Sequence, residues 1–208
     1  MFVKGRVTAV VAISLLCLLL LAGAIAASGC EKTTTAPPQE QEGAGKESGE
    51  NGAEEATTVT LYFRRSVESQ EWLSPERRTL SGASDPYRAA MELLIQGPEA
   101  GSQLHPVLPD SVKVIDIAVA DGVCTVDFSA EILTDANQVG VSASGEGLAL
   151  AAIANTLTEF EGVASVKLLV EGVQSGMVEG RFVEDFWGHV GLPEYLERSE
   201  GVIYTGPA

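Results

Sequence analysis

The sequence predicts an α+β domain: a small mixed sheet of about four to five strands with two helices packed on one face, in the order β(β)-α-β-β-α-β. Two observations predict this class. Within residues 58–172, stretches in which every second residue is apolar alternate with two stretches of helical periodicity. Hydrophobic residues make up 45% of the chain and charged residues 20%, which is ordinary globular usage and sufficient for a core.

The opening strand is indicated by Val59, Leu61 and Phe63, which are each separated from the next by one residue. Residues 70–80 are expected to return beside it as a short second strand. Pro75 has no N–H to give to a neighbouring strand, so it would confine that second strand to an edge.

The first helix is expected to begin at Asp85-Pro86, because Asp caps free N–H groups and Pro suits the first helical position. It should end at Gly97-Pro98, where Gly can adopt the left-handed cap. Its apolar stripe has the spacing i, i+3, i+4, i+7 and consists of Tyr87, Ala90, Met91 and Leu94.

A second β-hairpin is predicted within residues 112–128, with its turn at Asp121-Gly122. Each of its strands carries an apolar row on one face: Ile115, Ile117 and Val119 on the first, and Cys124, Val126 and Phe128 on the second. The alternation makes Cys124 a small buried core residue rather than a nucleophile. It also leaves Asp116 and Asp127 on the opposite, solvated face.

The second helix is expected after the glycine- and serine-rich residues 140–147, which should form a flexible loop and an N-terminal cap. Its apolar stripe consists of Leu150, Ile153, Leu157 and Phe160. Residues 164–170 then form the last central strand. Residues 173–208 hold too many large apolar side chains for a free tail, so we expect an extension packed on the domain, with Pro193 to Arg198 as a short helix or turn.

The N-terminus reads as an export signal. Lys4 and Arg6 precede the uncharged residues 7–27, and the following Ala27 to Cys30 resemble the lipobox of bacterial lipoproteins. We therefore expect residues 1–29 to be a lipoprotein signal peptide, with Cys30 as the lipidation site on the extracytoplasmic face of the cell membrane. The alternative is an uncleaved anchor, since about 20 apolar residues span a bilayer.

Residues 30–57 follow as the lipidated cysteine and an acidic linker. The linker lacks large aliphatic and aromatic side chains, which predicts disorder. The whole chain has 13 Lys and Arg against 29 Asp and Glu, a formal charge of −16. That balance argues against nucleic acid as a partner, because phosphate contacts need clustered basic side chains.

The sequence contains few candidate catalytic or metal-binding residues. His105 and His189 have no Cys, Asp or Glu at metal-ligand spacing, so zinc is not expected. Residues 140–147 lack the Gly-Lys-Ser/Thr of a phosphate loop, and no Gly-x-Ser-x-Gly elbow occurs. We expect no catalytic residue, no metal and no cofactor.

One basic cluster stands out in this acidic chain: Arg64 and Arg65 on the first strand, and Arg77 and Arg78 on the second. If these strands pair, the two arginine pairs could lie close together and form a patch that contacts a partner. The alternative is solvated edge charge that discourages strand addition.

Several segments together resemble the GerMN domain of bacterial sporulation and spore-germination lipoproteins, over about residues 58–172. In order, these segments are Val59–Phe63, Glu92–Pro98, Leu108–Asp110, Val123–Ser129, Ile153–Phe160 and Gly162–Gly172.

The resemblance implies a non-enzymatic extracytoplasmic module that acts through protein contacts at the envelope, with sporulation or envelope proteins as partners and self-assembly as a further option. It supplies no catalytic residues. The rival hypothesis is a small wall-associated ligand-binding or hydrolytic domain, which predicts a deep polar pocket.

Overall fold

A computed structural model describes residues 57–206. Its strands are β1 Thr57–Val67, β2 Gln70–Leu80, β3 Val114–Ala120, β4 Val123–Phe128, β5 Ser165–Val170, β6 Met177–Val178, β7 Arg181–Phe182 and β8 Leu196–Glu197. Its helices are α1 Pro86–Gln96, α2 Glu131–Thr134 and α3 Ala143–Leu157, with 3-10 turns at Ala136–Gln138, Val183–Asp185 and Glu200–Val202.

The main sheet has four strands in the order β3-β4-β5-β8. The β4–β5 pair is parallel and the other two pairs are antiparallel, so the sheet is mixed. Helices α1 and α3 lie between this sheet and the β1–β2 hairpin and contact both. The predicted α+β class, with helices packed on a mixed sheet, is confirmed.

The first hairpin forms a two-stranded sheet of its own. Each of its outer edges is contacted at one point by main chain from elsewhere. Arg64 and His105 exchange two backbone hydrogen bonds of 3.1 and 2.8 Å, and the Leu73 carbonyl accepts from the N–H of Tyr204 at 2.8 Å. Pro75 lies opposite Tyr62, whose own N–H points instead to the hydroxyl of Thr156 at 3.3 Å.

Helix α1 has the predicted ends. The Asp85 carboxylate accepts from the backbone N–H of Arg88 at 3.0 Å, and Gly97 follows the helix with a φ of 90°. The face that packs inward contains Ala90, Met91, Leu94 and Ile95. Tyr87 packs at its end against Phe160, with ring centroids 4.7 Å apart.

The β3–β4 hairpin turns at Asp121 and Gly122, both with positive φ, as predicted. The inward row of β4 is fully buried, but β3 is the sheet edge, and its Ile115 is 45% exposed. Asp116 is solvated, whereas the prediction for Asp127 is wrong. Asp127 is only 8% exposed, and its buried carboxylate accepts a hydrogen bond from the N–H of Gly172 at 3.0 Å.

Helix α3 begins inside the glycine-rich segment, where the Ser142 hydroxyl caps the N–H of Gly145 at 3.0 Å. A Cβ on Gly145 would lie 2.9 Å from the Gly140 carbonyl oxygen, so the first turn requires glycine there. The helix is buried on nearly all sides, not along one stripe, since the hairpin and the sheet enclose it.

The C-terminal residues complete the main sheet. The prediction of a helix or turn at Pro193 to Arg198 misses β8, which pairs with β5 through Leu196 and Val166. Further back, Phe186 and Trp187 are buried, and the Trp187 indole N–H donates to the Ile132 carbonyl at 2.8 Å. None of the helices within residues 57–206 has the length and apolar character that crossing a bilayer requires.

Candidate partner-binding surface

The hairpin register keeps the two arginine pairs apart. Arg64 lies opposite Leu73, and Arg77 lies opposite Thr60. Because Thr60 precedes Arg64 by four positions, the pairs are separated by about 13 Å along the strands. The expectation that strand pairing brings them together is therefore wrong.

Two of the four arginines stabilise the fold. The Arg64 guanidinium donates to the Val139 carbonyl at 2.9 Å and lies 3.3 Å from the Glu71 carboxylate. Arg78 contacts the carboxylates of Glu76 and Glu99, the latter at 3.4 Å. Both side chains thus connect the hairpin to other segments and are poorly placed for a partner.

Of the other two arginines, Arg65 is half-buried and Arg77 is exposed. The Arg65 guanidinium lies 4.7 Å from the centroid of the Tyr204 ring, a cation–π contact. This arrangement favours solvated edge charge on the hairpin over a continuous basic patch.

A buried carboxylate that the sequence did not reveal lies at the start of α3. Glu146 is fully buried, and its oxygens accept from the backbone N–H groups of His189 and Gly191 at 2.8 and 3.0 Å. The His189 imidazole nitrogen Nδ1 is 3.3 Å from the same carboxylate. Glu146 therefore holds the loop after Trp187 against the domain. The surrounding glycines had indicated only a loop.

A second polar cluster fixes the C-terminal strand. The Tyr62 hydroxyl donates to Glu159 at 2.6 Å and accepts from Arg198 at 2.8 Å. The Asn155 side chain makes two hydrogen bonds with the backbone of Ser199, at 2.7 and 3.0 Å. Burial and the hydrogen bond to Glu159 raise the pKa of Tyr62. Burial lowers the pKa of Arg198, but hydrogen bonds to Glu200, Tyr62 and Glu159 raise it by more. The pKa of Arg198 therefore lies above its usual value.

The polar groups of the domain stabilise the fold and lack the features of a catalytic or metal-binding site. Cys124 is fully buried in β4, and burial, then the Asp85 carboxylate, raise the pKa of its thiol to about 12, so the nucleophilic thiolate is disfavoured. His105 serves β1 through its backbone. Among residues 57–206, no three His, Cys, Asp or Glu side chains could together hold a metal ion.

The surface of residues 57–206 includes a groove and a smaller cleft. The groove of about 840 Å³ runs between α1, the end of β2 and the segment before β3, and its charged lining residues are Glu92, Asp110 and Lys113. The smaller cleft of about 260 Å³ lies in the C-terminal extension around Phe182 and Trp187.

Most of the exposed large hydrophobic side chains described within residues 57–206 belong to the C-terminal extension. Two of the seven are on β3, Ile115 and Val119. The other five fall within residues 173–195: Val173, Met177, Phe182, Val190 and Tyr195. Such concentration on a polar surface is typical of interaction sites.

The family model described as "Germane: Sporulation and spore germination" matches residues 60–176, more than half of the chain. The chain belongs to this family, whose unit is the GerMN domain. The resemblance identified from the sequence segments is thereby confirmed. The cleft around Phe182 and Trp187 lies beyond the matched residues.

Solved structures of GerMN domains match as well. The tandem GerMN domains of the sporulation protein GerM from Bacillus subtilis superpose with a TM-score of 0.56 at 26% identity, covering 76% of this chain and 51% of that one. The chain thus spans about half the length of the tandem structure. The first GerMN domain of the same protein gives a TM-score of 0.51 at 20% identity, covering 68% and 98%. Comparison with curated proteins found no match.

Cys30 and the predicted signal and linker segments lie outside the described residues.

Proposed function

We propose that this GerMN domain is a non-catalytic protein-interaction module, held by a lipid on Cys30 at the extracytoplasmic face of the cell membrane and acting in sporulation or spore germination. Family membership supports the biological setting. The single observation that carries the interaction role is the concentration of exposed apolar side chains in residues 173–195.

The anchor rests on the sequence. The basic start, the uncharged residues 7–27 and the lipobox-like Ala27 to Cys30 support export and lipidation, and residues 31–57 would space the domain from the membrane. The chain would remain off anionic lipid surfaces apart from its lipid, since its formal charge is −16.

Metabolic labelling with radioactive palmitate tests the anchor. The wild-type chain and a Cys17→Ala variant should both be labelled, whereas Cys30→Ala should not. Cys17→Ala is the matched control, because it removes a thiol from the apolar segment and leaves the lipobox intact. Retained label on Cys30→Ala, or an unlabelled wild-type chain, would contradict the lipid anchor, and the second result would favour an uncleaved transmembrane segment.

Crosslinking in intact sporulating cells tests the interaction role. A photoreactive amino acid at Met177, which is 64% exposed, should give a specific adduct, and the same group at exposed Thr79 should not. An adduct of twice the chain's mass would identify self-assembly, and any other mass an envelope or sporulation protein. Equal yields at both positions, or none, would contradict a partner surface in residues 173–195.

A wall-associated ligand-binding role is the second candidate. The groove of about 840 Å³ beside α1 favours it, because pockets for small ligands span roughly 300 to 1,000 Å³. That role predicts thermal stabilisation of the chain by cell-wall fragments, which the interaction role does not.

A further inference from the structure

The cleft in the C-terminal extension has the size of a single side chain. Its volume of about 260 Å³ is below the roughly 300 to 1,000 Å³ of small-molecule pockets. It lies between β7 and the loop that follows it, and its lining includes Arg181, Phe182, Asp185, Phe186 and Trp187. Clefts of this kind at protein surfaces commonly receive one anchoring side chain of a partner.

Aromatic rings and a carboxylate line the cleft. Phe186 and Trp187 are buried and stack with ring centroids 5.0 Å apart and an interplanar angle of 17°, whereas Phe182, 48% exposed, is the accessible ring of the lining. Aromatic faces attract cations through their quadrupole. The Asp185 side chain takes part in none of the ion pairs formed within residues 57–206.

The cleft is held in shape by its neighbours. Phe186 has φ 48° and ψ −104°, a conformation that a bulky residue rarely adopts and that its surroundings must enforce. On its C-terminal side, this conformation is held by the hydrogen bond from the Trp187 indole to the Ile132 carbonyl. The hydrogen bonds from the backbone N–H groups of His189 and Gly191 to buried Glu146 hold the following loop. Strain maintained in this way is typical of binding sites.

The surroundings add apolar area and negative charge. Met177 lies directly opposite Phe182 in the β6–β7 pair, and both side chains are exposed. Residues 173–198 contain five carboxylates, Glu179, Glu184, Asp185, Glu194 and Glu197, against two arginines, Arg181 and Arg198, of which Arg198 is paired with Glu159. A complementary partner therefore carries positive charge next to apolar side chains.

We propose that this cleft binds a lysine or arginine side chain that a partner protein presents between apolar residues. The cation would lie against the exposed Phe182 ring with Asp185 as counter-charge, and the flanking apolar residues would cover Met177. The inference rests on the proposed function only in taking the ligand to be a protein segment.

Fluorescence of Trp187 tests the proposal in the full-length chain. The sequence has two tryptophans, so a Trp72→Phe background isolates the Trp187 signal. The probes are four capped tripeptides with Leu on both sides of Arg, Lys, Gln or Glu, titrated at constant ionic strength. The Arg and Lys peptides should change the emission saturably, and the Gln and Glu peptides should bind at least about tenfold more weakly.

Variants assign the contacts. Asp185→Asn should weaken the Arg peptide about tenfold, whereas Arg181→Gln should leave binding unchanged or tighten it. Asp121→Asn, which removes a carboxylate from the β3–β4 turn, is the matched control and should bind like the parent. Circular dichroism confirms that each variant is folded.

Three results would overturn the proposal. The first is that none of the four peptides changes the Trp187 emission. The second is that the Glu peptide binds best and that its binding depends on Arg181. The third is that tetramethylammonium displaces the Arg peptide at equal concentration. The last would assign the cleft to small cations. These outcomes are independent of palmitate labelling at Cys30, so failure of the cleft and failure of the anchor are distinguishable.

Discussion

Cys124 shows how strongly a single position can depend on its surroundings. Its thiol lies in the fully buried row of β4, where burial and the Asp85 carboxylate both favour the neutral form. The alternation around it was sufficient to predict its burial, since period-2 patterns place side chains on faces without knowledge of the fold.

The free energy of unfolding should fall as the pH rises above about 8.5, where the thiol of the unfolded chain ionises. The folded thiol has a pKa raised to about 12, so its stabilising contribution is complete below the unfolded pKa and is lost as the pH rises through the folded value. Urea unfolding between about pH 8 and about pH 10.5 measures the slope, which one proton sets at up to about 1.4 kcal/mol per pH unit.

Cys124→Ala is the comparison for this experiment. The variant should be less stable below about pH 8.5 and should show a flatter pH dependence above it. The raised pKa of Tyr62 affects the pH dependence of the unfolding free energy equally in both proteins. Its effect therefore cancels when the two slopes are subtracted. Identical slopes would mean that the thiol is not buried.

Glu146 lies at the other extreme of predictability. Its partners, the N–H groups of His189 and Gly191, are more than forty residues away in the sequence. Glycine-rich residues around a glutamate normally indicate a solvated loop, so no local signal could have identified a buried carboxylate. The same limit applies to Asp127, whose partner is the N–H of Gly172.

Among the elements, β8 depends on the polar cluster of Tyr62, Glu159 and Arg198. The strand itself contributes only two residues to the sheet. Arg198 follows it directly and contacts Tyr62 on β1 and Glu159 beyond α3. The cluster therefore attaches the end of the chain to both the hairpin and the helix layer.

Arg198→Gln and Tyr62→Phe should each destabilise the domain by about 1 to 2 kcal/mol, because each removes hydrogen bonds to a charged partner. The double variant should cost less than the sum, with a coupling of at least about 0.5 kcal/mol. Chemical denaturation of the four proteins gives the cycle. Additive losses would show that the two side chains do not interact in solution, and Lys167→Gln, on β5, controls for loss of a positive charge.

Sequence patterns predicted the elements whose signals are local. Helix α1 has a cap, an N-terminal proline and a terminal glycine within a few residues, and in β4 the apolar Cys124, Val126 and Phe128 alternate with polar residues. Helix α3 was predicted to be amphipathic but is buried on nearly all sides. Its many small residues give little difference in polarity between its faces, so the sequence did not reveal this enclosure. The two-residue β8 is too short to produce any pattern.

The arginine patch failed for a related reason. The four residues were identified correctly as the basic cluster of the hairpin, but their proximity depends on the register. The turn residues Glu68 and Ser69 fix that register with positive φ angles and contain no glycine to mark the position. A shift along the strands would have brought the two pairs into contact.

For the whole molecule, the residues beyond the matched family segment are part of the domain core. Phe186, Trp187 and Leu196 are buried, and β8 covers one edge of the main sheet. The domain thus extends well past residue 176, where the family match ends.

A chain that ends after Gly176 should lose cooperative unfolding. The truncation exposes the faces that Phe186, Trp187 and Leu196 cover and leaves Glu146 buried without partners, a loss of several kcal/mol against a total stability of about 5 to 15 kcal/mol. Near-ultraviolet circular dichroism and urea unfolding provide the measurement. A chain that ends after Tyr204 is the control and should unfold like the full chain, and cooperative unfolding of the shorter chain would contradict this view of the core.

The contact between Tyr62 and Arg198 also sets the order of events during synthesis. The two residues are 136 positions apart, so the Tyr62 hydroxyl on β1 has both of its hydrogen-bond partners only after Arg198 has been synthesised. Until then the edge of β5 has no neighbour and the two helices lack part of their cover. Folding rates fall as such distant contacts accumulate. A nascent chain therefore keeps the edge of β5 open until residues 196–198 have been made, and the domain is expected to close only after them.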